Sequence, residues 1–190
     1  MGSRAFWILV AVLLSASVFF ALNAEQRRRE AQKSDLSLHS GELVHLQRVI
    51  DGDTLVVVTE GGETSSVRVL GIKAFDPIPD KQPTSHFGKA AVYALTELAR
   101  SEPIRVLLHE TPKDDHGRIL ASLFVAERDL GLSLVQQGLA LVYPVYPFAT
   151  MTLYLQEQEA ARAGRLGLWS DPEVARRADL LLRQWRKRAE

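Results

Sequence analysis

Two carboxylates, Asp51 and Asp53, stand one residue apart with only Gly52 between them and apolar runs on both sides. Side chains of an extended chain alternate with a period of two, so both can project to the same side. Gly52, lacking a Cβ, lets the backbone turn and leaves room beside them. Such a pair suits a cation or phosphate site at a junction of two strands. Asp-Gly is also ordinary hairpin chemistry. What the pair does therefore depends on what the rest of the chain brings to it.

The 190 residues suit one domain of about 150 residues plus appendages. A hydrophobic fraction of 46% can fill a single core. The absence of cysteine excludes disulfides and thiolate metal sites, and the five histidines are scattered without zinc-type spacing. The formal net charge is +0, and the part beyond Ser40 is near neutral too. A domain that grips long nucleic acid through many phosphates is usually basic. Phosphate chemistry here must rest on a few placed charges.

Residues 5–22 are uncharged and apolar, with Arg4 before them and Arg27, Arg28, Arg29 and Lys33 after. We read 1–23 as a signal peptide or transmembrane anchor. The one small-x-small triplet, Ser15-Ala16-Ser17, would cut inside the apolar run, which favours the anchor. The chain is thus expected at the membrane or exported to the cell envelope. The basic residues after the run favour a cytoplasmic C-terminal side, whereas a short basic start is also how exported chains begin. Residues 24–40 read as a polar tether.

The elements that must position the aspartates follow. Residues 44–50 and 55–59 read as strands around the Asp-Gly-Asp turn, with a hairpin at Glu60-Gly61-Gly62-Glu63 and a third strand over 65–72. A proline-bearing loop over 73–83 precedes a helix from Ser85 or Phe87 to Arg100. Residues 103–110 and 118–126 give two more strands. A short helix over 130–137 ends at Gly138, 139–148 is an aromatic and proline-rich loop, and a further helix covers 150–163. A last amphipathic helix, 172–190, opens at Asp171-Pro172 with Val174, Ala178, Leu181 and Trp185 inward. The fold class is α+β, mainly β: a five-stranded Greek-key barrel with packed helices.

In this order the chain resembles the staphylococcal nuclease (thermonuclease) family over about 42–171. The matching pieces are Val49-Ile50-Asp51-Gly52-Asp53-Thr54, Val67-Arg68-Val69-Leu70-Gly71-Ile72, Gly88-Lys89-Ala90-Ala91, Asp115-His116-Gly117-Arg118, Gln137-Gly138-Leu139-Ala140 and Gly167-Leu168-Trp169-Ser170. The resemblance implies an oligonucleotide-binding-type barrel in a domain over 41–171. It also implies a calcium-dependent endonuclease that cuts single-stranded DNA or RNA between phosphorus and the 5′ oxygen. Matched by position, Arg68 and Arg118 are the phosphate-binding arginines, Asp53 a metal ligand and Asp51 a carboxylate of the metal shell. Lys89, His116, Tyr143 and Tyr146 fall where substrate contacts are expected. Guanidinium groups suit the charge of a five-coordinate phosphorus, and a hard cation held by carboxylates and carbonyls neutralises more of it.

Two departures stand inside the motif. The family commonly reads Gly-Ile-Asp-Ala/Thr-Pro-Glu where this chain has Gly71-Ile72-Lys73-Ala74-Phe75-Asp76. Lys73 replaces a carboxylate ligand, Ala74 retains a backbone carbonyl for a metal, and Asp76 replaces the general-base glutamate. An ammonium about 4 Å from Asp53 interacts with it by roughly 4 kcal/mol at an effective dielectric near 20, in competition with a divalent ion. Calcium binding is thus expected to be weakened or lost, with Mn²⁺ or Mg²⁺ as substitutes. Three readings stay open: a slow or metal-altered nuclease, a site charged by Lys73 without metal, and a catalytically impaired nuclease fold. The last would act in binding or assembly at the cell envelope, for example in a surface-polysaccharide setting.

Overall fold

The computed structural model describes residues 37–78 and 82–189, together with the helical positions Trp7, Ser17 and Phe20. Apart from those three positions the expected anchor, and most of the tether, lie outside the described residues. Among the described residues no helix is long and apolar enough to cross a membrane.

Among the described residues eight strands form: β1 (Leu43–Asp51), β2 (Thr54–Thr59), β3 (Thr64–Val69), β4 (Ile72–Lys73), β5 (Ile104–Lys113), β6 (Ile119–Val125), β7 (Arg128–Asp129) and β8 (Leu141–Val142). The main sheet runs β3-β2-β1-β5-β6-β7, and a parallel β3–β6 pairing closes it on itself. The closed ring is therefore β1, β2, β3, β6 and β5, the five-strand Greek-key barrel expected from the sequence. Its pleat explains the composition. Leu55 and Val57 of β2, Val67 of β3, Ile104 and Val106 of β5 and Leu123 of β6 are all fully buried. Burying each such side chain contributes about 1.5–3 kcal/mol.

The expected third strand, 65–72, is broken. β3 stops at Val69, Gly71 adopts φ +78, and the chain resumes as β4, which pairs with β8 (Ile72↔Val142, Lys73↔Leu141). A positive φ is natural only for glycine here. The break swings residues 71–74 back over the outer face of β3. The region 139–148, expected to be all loop, supplies β8 as the partner. β5 runs three residues past the expected Glu110, to Lys113.

Among the described residues four α-helices pack around the ring: α1 (Pro83–Ala99), α2 (Leu130–Gln136), α3 (Met151–Ala163) and α4 (Pro172–Ala189). α1 starts at Pro83 rather than Ser85, because proline suits the first turn of a helix. The Asp129 side chain caps α2 by accepting from the Leu132 N–H. α4 buries Val174, Ala178, Leu182 and Trp185 in a second cluster with Phe75, Leu141, Leu168 and Trp169. Leu182 takes the inward place expected of Leu181, which is half-buried. Through Phe75 and Leu141 this cluster holds β4 and the segment after it against the barrel.

Candidate active site

Asp51 and Asp53 stay close enough for their charges to interact, but they take different places in the turn. β1 ends at Asp51 and β2 begins at Thr54, paired across a turn made of Gly52 and Asp53. Asp51 Oδ1 accepts the Asp53 N–H at 2.9 Å, the usual way an aspartate braces its own turn. Burial, then the neighbouring Asp53 charge, raises the Asp51 pKa above the ordinary carboxylate value. Asp51 is therefore a brace for the turn, and its bond turns Asp53 inward.

Asp53 is 1% exposed, and every lone-pair site of its carboxylate is used. Oδ1 lies 2.6 Å from an Arg68 terminal nitrogen and accepts from the Thr54 hydroxyl at 3.1 Å. Oδ2 accepts from the Ala74 N–H at 2.8 Å and lies 3.3 Å from Lys73 Nζ. A carboxylate offers about four lone-pair sites, and four donors occupy them. Two of those donors are cations.

Arg68 leaves β3 on the face opposite Val67 and Val69, as alternation requires, yet the returning chain buries it to 6% exposure. Beyond the Asp53 carboxylate, its terminal nitrogens donate to the Asp53 carbonyl at 3.2 Å and the Ile72 carbonyl at 2.7 Å. The residues on either side of Lys73 are thus tied to one ion pair, Ile72 through its carbonyl and Ala74 through its N–H. That fixes the backbone of Lys73.

Arg118 is the more open guanidinium, its side chain 28% exposed. It precedes β6 after a turn in which Asp114 Oδ1 accepts the His116 and Arg118 N–H groups, each at 2.9 Å. Asp114 Oδ2 takes Arg118 Nε and a terminal nitrogen, each at 2.7 Å. The other terminal nitrogen donates to the Thr54 hydroxyl at 3.1 Å. One hydroxyl therefore links the two arginines through Asp53. Burial pushes the Asp114 pKa up, but the bonds from Arg118 and the His116 N–H outweigh it and hold the carboxyl below the ordinary value.

A barrel whose strand junction gathers two arginines around a buried aspartate matches a known domain. Residues 66–171 fit the family model described as Staphylococcal nuclease homologue. The chain is 32% identical over 143 residues to Protein ParB of Escherichia coli, covering 70% of this chain and 74% of that one. This chain belongs to the staphylococcal nuclease family. It is also similar to an uncharacterized endonuclease of Haemophilus influenzae, 34% identical over 124 residues, 65% of this chain and 64% of that one. To the thermonuclease of Staphylococcus intermedius it is 24% identical over 163 residues, 85% and 94% of the two chains. The activity of this staphylococcal nuclease family is nucleic-acid cleavage.

The other expected site residues of this family member divide. Asp76 is exposed at the rim, on a segment that Gly88 of α1 fixes: a Cβ at Gly88 would come within 2.5 Å of the Phe75 carbonyl oxygen. Tyr146 lies near the Arg118 turn. Burial, then Asp115 and Asp114, raises its hydroxyl pKa. The Tyr143 ring packs edge-on against Trp185 at 5.0 Å, so it serves the second cluster. Lys89 and His116 are exposed, and the His116 backbone N–H enters the site's bonding. Two residues were missed from sequence. Thr54 joins the arginines, and its place directly after Asp53 on the hairpin was the available signal. Asp114 orients Arg118, and its spacing of four residues across a glycine turn could have shown it.

The metal expected at Asp53, Asp51 and the Ala74 carbonyl does not fit these donors. Asp53 has no free lone pair, one Asp51 oxygen is engaged in its own turn, and the Lys73 ammonium stands against Asp53 where a cation would bind. Among the described residues no three His, Cys, Asp or Glu side chains gather as a metal set. Calcium takes six to eight oxygens at about 2.3–2.6 Å. A divalent ion about 4 Å from the Lys73 ammonium would be repelled by about 8 kcal/mol at an effective dielectric of 20.

Proposed function

We propose that this chain is a phosphodiesterase hydrolysing single-stranded DNA or RNA, with Arg118 as the guanidinium that receives the phosphate. The observation that carries the reading is the grip on Arg118: Asp114 and Thr54 fix a partly exposed guanidinium at the mouth of the site. Preorganised donors aimed at developing charge are the largest single contribution in this class of reaction. Water attacks phosphorus and the bond to the 5′ oxygen breaks, leaving a 3′-phosphate and a 5′-hydroxyl. The water's proton passes to Asp76, and the leaving oxygen takes a proton from solvent. Arg68 acts from beneath, holding Asp53 and the 71–74 segment.

One observation favours a second reading, a binding or assembly module at the cell envelope. Arg68 is sealed against protein oxygens, so a phosphate meets one arginine where the family resemblance implies two. The apolar run at 5–22 would place either activity at a membrane or outside the cell. The test is cleavage of DNA and RNA oligonucleotides by the full chain beside Arg118→Ala. Turnover that falls on the order of a hundredfold in the variant supports the enzyme. Oligonucleotide binding without turnover supports the module.

A further inference from the structure

We infer that Lys73 is a built-in cation for this site, so that it takes a phosphodiester without a divalent metal ion. The inference rests on reading the Asp53–Arg118 surface as a phosphodiester site, and it concerns what supplies the charge there.

Three observations carry it. The ammonium sits 3.3 Å from Asp53 Oδ2, closing the last coordination position of that carboxylate. Its backbone is fixed from both sides, by the Ile72 carbonyl accepting from Arg68 and by Ala74 donating its N–H to Asp53. The side chain is still 36% exposed, whereas Asp53 and Arg68 beneath it are sealed. An ammonium carries three donors, and one is directed at Asp53. The other two can meet an anion arriving from solvent.

Charge accounting agrees. Arg68 alone neutralises Asp53, and Lys73, which also faces the Asp51 charge, supplies the further positive charge that the two carboxylates would otherwise ask of a metal ion. A divalent ion would need an oxygen that already accepts from a cation. Lys73 thus fills the electrostatic place such an ion would take, as a point charge rather than a bidentate fork. It orients no water through coordination, so activation of the nucleophile falls to side chains at the rim.

The test uses the full chain stripped of metal, with calcium titrated calorimetrically into wild type, Lys73→Met and Lys73→Asp. Beside it, oligonucleotide cleavage is measured in EDTA and in Ca²⁺. We expect no calcium uptake by wild type, and rates in the two media within about twofold. Lys73→Met should lose on the order of a hundredfold in rate under both conditions, and Lys73→Asp should gain calcium binding. Saturable calcium uptake by wild type, or a rate abolished by EDTA and restored by Ca²⁺, would overturn the inference. The calorimetry of wild type needs neither a folded variant nor an active enzyme. If no medium gives cleavage, the phosphodiesterase reading fails, and calcium uptake still decides the role of Lys73.

Discussion

Asp114 holds Arg118 by three bonds, one from its backbone N–H and two from its guanidinium at 2.7 Å, and braces the turn by a fourth from the His116 N–H. Orientation of the phosphate-facing group is thus delegated to a residue that need not touch substrate. Asp114→Asn keeps an oxygen for the two N–H groups but loses the charge that grips the side chain. We predict a fall in kcat of about ten- to a hundredfold with KM changed far less, measured by oligonucleotide cleavage. Full activity in the variant would show that Arg118 needs no such hold.

The same carboxylate sets a pH dependence. Its folded pKa lies below the ordinary value of 3.8, so the stability it contributes is complete above that value. It is lost as pH falls through the lower, folded pKa. Denaturant unfolding of wild type and Asp114→Asn should therefore show a constant difference from neutral pH down to about 4, narrowing only at more acid pH. A difference that opens or closes near neutrality contradicts this assignment.

Thr54 is 1% exposed and joins Asp53 to Arg118 by its hydroxyl. Thr54→Val keeps the shape and removes the link. The cost should be about 1–3 kcal/mol, the penalty for a buried polar group left short of a partner. Thermal unfolding reads the stability, and the rate should fall with it. An unchanged midpoint and rate would dismiss the bridge.

Removing Arg68 leaves Asp53 charged and buried beside Lys73 alone. Arg68→Met should destabilise by about 3–5 kcal/mol. Asp53→Asn added to it should recover part of that loss, since the uncompensated charge disappears with it. Additive losses in the double variant would show that the two residues act independently.

The barrel was legible because β2, β5 and β6 carry alternating or continuous apolar runs between clear turns, and these signals are local. The break at Gly71 was not, since a glycine inside an apolar run reads equally as strand until β8 is there to pair with β4. At the site, the position of Arg118 followed from motif order, but its orientation depends on Asp114. Lys73 was recognised as a departure from the motif. Its direction was not readable, because it depends on how the chain returns over β3 and on the inward turn of Asp53. The two turn carboxylates differ for a local reason: Asp51 braces its own turn while its charge stays beside the inward-facing Asp53.

The most direct measurement is end-group mapping of a labelled single-stranded oligonucleotide incubated with the full chain and with Arg118→Ala. The account predicts fragments bearing 3′-phosphates and 5′-hydroxyls from wild type, nearly absent from the variant. An intact oligonucleotide with wild type, or equal cleavage by both proteins, would contradict it.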